Sequence, residues 1–114
     1  MIQRATAEPV LIARAKEFIQ ERHADNLRLA MVARAVSTSP FYFCKIFKKM
    51  TGTNFTDYLS SVRIEKAKNL LLNPDVQVSE IAFAVGFQSL THFNRVFKRI
   101  VGMPPSQYRA QLGE

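Results

Sequence analysis

The apolar residues of this chain recur with the spacing of α-helices, and two stretches show the pattern most clearly. Within residues 39–52 and 89–102, apolar side chains fall at positions i, i+3, i+4 and i+7, which form one face of a helix. These positions are Phe43, Ile46, Phe47 and Met50 in the first stretch and Phe93, Val96, Phe97 and Ile100 in the second. We therefore predict two amphipathic helices whose apolar faces, including Met50 and Ile100, lie in a hydrophobic core.

Each of these helices has signals for its start and its end. Ser39 and Ser89 stand where a serine caps a helix N-terminus, and Gly52 and Gly102 stand where a helix ends. A short apolar helix precedes each one, at about residues 30–36 and 79–85, and a turn of three or four residues joins the pair. A short helix, a tight turn and a second amphipathic helix make a helix-turn-helix, and the chain is predicted to contain two.

The two helix-turn-helix units repeat one sequence. Aligned 50 residues apart, their second helices share Ser39/Ser89, Phe43/Phe93, Phe47/Phe97, Lys48/Lys98 and Gly52/Gly102. Upstream, Ala33 matches Ala82 one residue out of phase, so the second unit has one extra residue in its turn, near Gly86. Two copies are too few for a solenoid, which indicates a duplicated supersecondary unit.

Three further helices complete the chain, at about residues 9–22, 54–72 and 105–112. Asn54 can cap the long middle helix, Pro74 ends it, and Pro105 suits the first turn of the last one. We therefore expect an all-α fold of about seven helices in a single domain, residues 1–114. Its parts are helix-turn-helix unit one at about 27–52, a linker helix at about 54–72, helix-turn-helix unit two at about 78–102 and a C-terminal helix at about 105–112.

The net positive charge changes the picture because the excess of cations is confined to two short stretches of the chain. The chain carries a net charge of +7, and the stretches 39–52 and 89–109 hold seven cations and no acid. These cations are Lys45, Lys48, Lys49, Arg95, Lys98, Arg99 and Arg109. A basic excess confined to two short segments favours a polyanionic partner, with nucleic acid ahead of an anionic membrane surface.

Composition argues against several other classes of protein. The single cysteine, Cys44, cannot form an intrachain disulfide, and together with His23 and His92 it is too little for a structural zinc site. The longest apolar run, residues 81–87, is far shorter than the ~20 residues of a membrane span, and the N-terminus has no apolar core of a signal peptide. The sequence contains no recognisable set of catalytic residues and no glycine-rich phosphate-binding loop. We expect a cytoplasmic, nucleoid-associated protein that is not an enzyme and needs no metal or cofactor.

The outer faces of the two basic helices carry groups suited to double-stranded DNA. In the second helix, Thr91, Asn94 and Arg95 point away from the apolar stripe. Arginine can bridge guanine O6 and N7, and asparagine can pair with adenine N6 and N7. The corresponding residues of the first helix are Phe41, Cys44 and Lys45. Phosphate contacts, which position a protein without reading sequence, are expected of Ser39, Lys48, Lys49, Ser89, Lys98 and Arg99.

The predicted linker helix has a length that suits two reading units on one face of a duplex. Its 19 residues, 54–72, would span roughly 28 Å at ~1.5 Å per residue, and adjacent major-groove faces lie ~34 Å apart. A monomer is therefore expected to read two half-sites in direct order, one in each of two successive major grooves.

Two blocks of spaced positions carry a resemblance to a known family. The first block is Ser39, Phe43, Phe47, Lys48, Gly52, Phe55, Tyr58, Leu59, Arg63, Ile64, Ala67, Leu70 and Leu71. The second is Ile81, Ala82, Gly86, Phe87, Ser89, Phe93, Phe97, Lys98, Gly102, Pro105, Tyr108 and Arg109. Together they resemble the AraC/XylS family of bacterial transcription regulators from about residue 9 to Tyr108.

The resemblance implies seven helices, with two helix-turn-helix units joined by a long helix. It also implies that the outer face of the second helix in each unit reads bases. By position it assigns base reading to Phe41, Cys44 and Lys45 in the first unit and to Leu90, Thr91, Asn94 and Arg95 in the second. Phe41 and Cys44 are weak base readers. The first unit is therefore expected to make thymine-methyl contacts or phosphate contacts, or to contribute less specificity than the second unit. The resemblance also implies RNA polymerase as a partner, and either a minimal regulator or the DNA-binding domain of a longer protein.

Several roles stay open at this stage. Arg63 suits either a phosphate contact or a structural pairing near the turn, and His92 suits either a partly packed ring or a phosphate donor. The alternative function is a basic amphipathic-helix module that binds an anionic membrane or a partner protein.

Overall fold

Seven α-helices and no strand make up the part of the chain that the structure, a computed structural model, describes, residues 4–113. They are α1 (Arg4–Arg22), α2 (Leu29–Ala35), α3 (Pro40–Thr51), α4 (Phe55–Leu70), α5 (Val78–Ala84), α6 (Leu90–Val101) and α7 (Pro105–Leu112). The prediction of an all-α fold with about seven helices is confirmed.

The helices form two compact units, which divide within α4, after Leu59. In the first unit, α1, α2 and α3 pack against one another. In the second, the C-terminal part of α4 shares a hydrophobic core with α5 and α6, and α6 also packs against α7. Each unit therefore surrounds one helix-turn-helix with its own supporting helices.

The second helix of each helix-turn-helix starts and ends where its capping signals predict. The Ser39 Oγ accepts a hydrogen bond from the Tyr42 amide at 3.2 Å, and the Ser89 Oγ accepts one from the His92 amide at 3.1 Å. At the other ends, Gly52 and Gly102 have φ angles of 80° and 98°, in the left-handed region that favours glycine. The predicted caps are confirmed at both ends of α3 and α6.

The two turns begin alike and then differ by one residue. Ser37 in the first and Gly86 in the second have positive φ angles, 59° and 111°. The next amide, that of Thr38 or Phe87, then donates to a carbonyl oxygen in the preceding helix. The capping serine follows at once in the first turn, whereas Gln88 comes before it in the second. The extra residue of the second unit is therefore Gln88.

The aromatic stripes of α3 and α6 fill the cores, although the last residue of each predicted stripe does not. Phe43 and Phe47, like Phe93 and Phe97, are fully buried and stack in pairs with ring centroids 5.4 and 5.7 Å apart. The prediction of burial is wrong for two residues, because Met50 is 41% exposed and Ile100 is 40% exposed. Both lie in the final turn of their helix, just before the glycine at which the chain turns away.

Two of the supporting helices differ in extent from their predictions. Helix α1 begins at Arg4, so Pro9, the predicted first residue, lies inside it. Helix α4 has 16 residues and ends at Leu70, which shortens the predicted linker to roughly 24 Å at ~1.5 Å per residue. The backbone tightens there, because the Leu72 and Asn73 amides donate to carbonyl oxygens three residues earlier.

Arg109 stabilises the C-terminal end of α4. Its Nε donates to the carbonyl oxygen of Leu71 at 3.2 Å, and its Nη2 donates to that of Asn73 at 3.1 Å. The guanidinium therefore donates to two carbonyl groups just beyond the last residue of α4, where a cation near a helix C-terminus is favourable. One of the seven cations that suggested a polyanionic partner is therefore engaged inside the fold.

The structural repeat also includes α1 and α4, which the sequence alignment at 50 residues does not detect. At a separation of 52 residues the two helices share Val10/Val62, Ile12/Ile64, Ala15/Ala67 and Lys16/Lys68. The Lys16 Nζ lies 5.9 Å from the ring centroid of Tyr58, and the Lys68 Nζ lies 5.8 Å from that of Tyr108. The two units are thus equivalent in three helices each, and α4 supports the second as α1 supports the first.

We predict that Gly102→Ala lowers the free energy of unfolding by about 1–2 kcal/mol, because an alanine must adopt a left-handed conformation there. No atom lies within 4 Å of the added methyl group, so backbone strain is the only cost. Gly113→Ala is the matched control: its φ is −78°, and we expect a change within about 0.5 kcal/mol. Urea denaturation measures both, and equal midpoints for the two variants would contradict the assignment of Gly102 as a left-handed cap.

Candidate nucleic-acid interface

The outer face of α6 carries polar side chains opposite the buried stripe. Phe93, Val96 and Phe97 are at most 3% exposed, which fixes the rotation of the helix about its axis. All the residues that the sequence assigns to reading or phosphate contact on this helix are exposed: Leu90, Thr91, Asn94, Arg95, Lys98 and Arg99. The helix therefore presents one amide, one hydroxyl and three cationic groups to solvent, away from the core.

A shallow cleft of about 460 Å³ brings part of this set together. It is lined by Val78, Leu90, Asn94, Arg95, Lys98, Pro104, Pro105 and Ser106. Three predicted base readers and one predicted phosphate contact thus share one surface, whereas Thr91 and Arg99 are not among its lining residues. The walls formed by the first residues of α5 and α7 were not predicted from sequence, because they come from distant segments that the fold brings beside α6.

The outer face of α3 also lies opposite a buried stripe of its own unit, but its chemistry differs from that of α6. Phe41 is 75% exposed, and the Lys45 Nζ lies 5.3 Å from its ring centroid, within the range of a cation–π interaction. The Cys44 thiol is exposed on the same face. Lys48 and Lys49, in the last turn, are exposed as well. The first unit therefore offers an aromatic ring and cations, with no amide or guanidinium among these residues.

The two capping serines are held by the backbone. Ser39 and Ser89 are exposed, and the oxygen of each accepts an amide hydrogen bond from its own helix. Their hydroxyl protons can still be donated to a phosphate. The structure thus shows capping for both residues, and phosphate contact stays a prediction.

The aromatic rings after the caps differ between the units. The Tyr42 hydroxyl donates to the Glu8 Oε2 at 2.7 Å, which ties α3 to α1. His92, at the equivalent position, packs its ring against that of Phe87, with centroids 5.5 Å apart. His92 therefore contacts the second turn with one side of its ring while remaining exposed.

Arg63 lies at the same turn. Its guanidinium carbon is 5.7 Å from the ring centroid of Phe87, which in turn packs edge-on against Phe93 at 5.2 Å. Burial lowers the pKa of the Arg63 guanidinium, because the charged form is partly desolvated. From sequence, Arg63 suited either a phosphate contact or a structural role. In the structure it packs against Phe87, in the turn that precedes α6.

The alternative of a membrane-binding or partner-binding amphipathic module is not favoured. Such a helix needs its apolar face at the surface, and the apolar faces of α3 and α6 are largely buried. Among the described residues, no helix is long and apolar enough to cross a membrane, and no cluster of His, Cys, Asp and Glu could hold a metal ion.

Comparison with known proteins relates this chain to helix-turn-helix proteins. A family model described as a helix-turn-helix domain matches residues 32–111. The HTH-type transcriptional regulator YijO of Escherichia coli (strain K12), itself uncharacterized, is 37% identical over 110 residues, which cover 96% of this chain and 39% of that protein. The chain thus spans about two fifths of this relative.

Solved structures match in fold as well. The C-terminal domain of AraT, a response regulator from Geobacillus stearothermophilus, matches with a TM-score of 0.84 and 34% identity over 89% of this chain and 84% of that one. The DNA-binding domain of AdpA, a global transcriptional factor solved in complex with a target DNA, matches with a TM-score of 0.82 and 27% identity over 88% and 90%. The family is one of DNA-binding domains and not of enzymes. These matches agree with the presence of two equivalent helix-turn-helix units, each with a basic outer face over an aromatic core. Together they show that the chain belongs to the AraC-type family of sequence-specific DNA-binding domains of transcription regulators.

Proposed function

We propose that α6 reads bases in the major groove through Leu90, Thr91, Asn94 and Arg95. The observation that carries this proposal is the single exposed face of α6, on which these side chains lie opposite a fully buried aromatic stripe. Arginine and asparagine are the side chains best suited to bidentate contacts with guanine and adenine, and threonine and leucine can contact a thymine methyl group. The cleft shared by Leu90, Asn94 and Arg95 would place their contacts on neighbouring base pairs.

The first unit is proposed to contribute a different kind of reading. Phe41 presents an exposed ring that can pack on a thymine methyl group, with the Lys45 ammonium held over the same ring. Cys44 is small enough to contact a base edge beside them. Because this face has no bidentate hydrogen-bonding group, we expect it to discriminate fewer base pairs than α6.

The remaining assigned residues are proposed to bind phosphate. They are Ser39, Lys48 and Lys49 in the first unit and Ser89, Lys98 and Arg99 in the second. All are exposed, at the start or in the last turns of α3 and α6. Contacts of this kind set the register of the protein on the duplex without specifying sequence.

At the level of the whole domain, we propose that residues 1–114 act as one DNA-binding domain. It would bind as a monomer, with one unit in each of two successive major grooves. The equivalence of the two units, each of which contains a helix-turn-helix, supports this proposal. The DNA complex of the related AdpA domain supports binding to a duplex. The protein is further proposed to act in the bacterial cytoplasm, at the nucleoid, with RNA polymerase as a second partner.

We predict that Arg95→Ala and Lys98→Ala weaken binding in different ways. Arg95→Ala should cost about 1–3 kcal/mol on a cognate duplex and leave random DNA unchanged, because it removes a base contact. Lys98→Ala should weaken cognate and random DNA alike and reduce the slope of log K against log salt by ~0.9, because it removes one phosphate contact. Fluorescence anisotropy titrations on both duplexes at several salt concentrations measure these effects.

The exposed cation Arg14 on α1 provides a control, because Arg14→Ala removes a charge from outside the proposed interface. It should leave the affinity for both duplexes nearly unchanged. Equal losses on cognate and random DNA for Arg95→Ala would overturn its assignment as a base reader.

We also predict that the first unit senses thymine methyl groups. Replacing thymine with deoxyuridine in the half-site of the first unit should cost about 0.8 kcal/mol for one contacted methyl group, roughly a fourfold loss of affinity. Phe41→Ala should abolish this sensitivity, because no ring remains to pack on the methyl group. Competition binding with the two duplexes measures the difference.

Leu90→Ala serves as the matched control, since it shortens an exposed apolar side chain at the start of the other helix. It should leave the deoxyuridine effect in the first half-site intact. The assignment of Phe41 fails if wild type binds thymine and deoxyuridine duplexes equally, or if Phe41→Ala retains the full difference.

A further inference from the structure

We propose that Arg63 is a positioning residue for base reading: its guanidinium holds Phe87, and through Phe87 the first turn of α6, without touching DNA. The inference rests on the proposed reading of bases by α6. It assigns a role in specificity to a residue of α4 that is outside the exposed face described above.

The contacts form a short chain from α4 to the reading helix. The Arg63 guanidinium carbon lies 5.7 Å from the centroid of the Phe87 ring, close enough for a cation–π interaction. Phe87 is only 4% exposed and packs edge-on against two rings in the first turn of α6, those of His92 at 5.5 Å and Phe93 at 5.2 Å. Any displacement of the Phe87 ring therefore moves the start of α6.

The second unit needs such a support more than the first does. Its turn has one extra residue, Gln88, between the turn residue Phe87 and the cap Ser89, so the entry of the chain into α6 has one more pair of free dihedral angles. In the first unit the position equivalent to Arg63 is Leu11, at the separation of 52 residues that relates α1 to α4. The cation is therefore confined to the unit with the longer turn.

The position of the first turn of α6 matters because the residues proposed to read bases are next to His92 and Phe93 in sequence. Thr91 precedes His92, while Asn94 and Arg95 follow Phe93. Bidentate contacts tolerate displacements of only ~0.5 Å, so a small shift of the first turn weakens base reading before it weakens phosphate contacts. The partial desolvation of Arg63, which lowers its pKa, agrees with a guanidinium packed on the protein.

The test compares Arg63→Leu and Arg63→Gln with wild type on cognate and random duplexes over a range of salt concentrations. Leucine is the residue that the first unit has at this position, and glutamine is a neutral polar replacement in case the leucine variant does not fold. Lys66→Leu, which removes one cation from the same helix, is the control for charge. Circular dichroism and thermal unfolding confirm that each variant is folded at the temperature of the titrations.

We expect the Arg63 variants to bind the cognate duplex roughly 5- to 30-fold more weakly, with random-DNA affinity and the salt slope unchanged. The loss should be confined to base substitutions in the half-site of the second unit. A salt slope reduced by ~0.9, with equal losses on both duplexes, would show that Arg63 binds phosphate and would overturn the proposal. Equal affinities of variant and wild type for the cognate duplex would overturn it as well.

Failure of the positioning role of Arg63 can be distinguished from failure of the proposed base reading by α6. If Arg95→Ala lowers cognate affinity selectively while the Arg63 variants do not, the reading by α6 stands and the positioning role fails. If Arg95→Ala leaves specificity unchanged, base reading by α6 itself fails, whatever the Arg63 variants do.

Discussion

Burial of the aromatic stripes of α3 and α6 is the constraint on which the rest of this domain depends. Phe43 and Phe47 in one unit, and Phe93 and Phe97 in the other, are removed from solvent completely. Burying a phenylalanine side chain contributes about 1.5–3 kcal/mol, so rotating either helix about its axis would cost several such contributions. The buried face thereby determines which side chains reach solvent, and these are the basic and polar groups that suit DNA. Folding and the proposed recognition of DNA therefore use opposite faces of the same helix.

The two units are built from the same parts and differ on the outer faces that are proposed to contact DNA. In each, a lysine of the supporting helix lies over a tyrosine ring, and a serine and a left-handed glycine bound the second helix. The outer faces have diverged, because Phe41 and Lys45 stand where Thr91 and Arg95 stand in the second unit. The second unit also has a longer turn, supported by Arg63 and Phe87. The difference between the two outer faces and the Arg63–Phe87 contact at the longer turn thus occur together.

Much of this could be predicted from sequence, because the strongest signals are local. The helical spacing of the phenylalanines determines that a helix forms and which of its faces is buried. The capping serines and glycines determine where the helix begins and ends, and all these signals lie within a dozen residues. The prediction that Met50 and Ile100 are buried was wrong, because the helical spacing of apolar residues does not show where a helix extends past the edge of its core. The hydrogen bonds of Arg109 to the end of α4 and the Arg63–Phe87 stack join residues more than 20 positions apart, which no local pattern indicates. The equivalence of α1 and α4 escaped alignment because its separation is 52 residues, not the 50 that relates α3 and α6.

Selection of bound duplexes from random sequence by the wild-type domain would show whether the two equivalent units read DNA unequally, as proposed. The enriched sequences should contain two short motifs in direct orientation, one helical turn or ~10–10.5 base pairs apart. One motif should be strongly constrained, and the other should be weaker and rich in thymine. Enrichment of a single motif, of two motifs in inverted order, or of two motifs with equal constraint would show that the two units do not read DNA unequally in direct order.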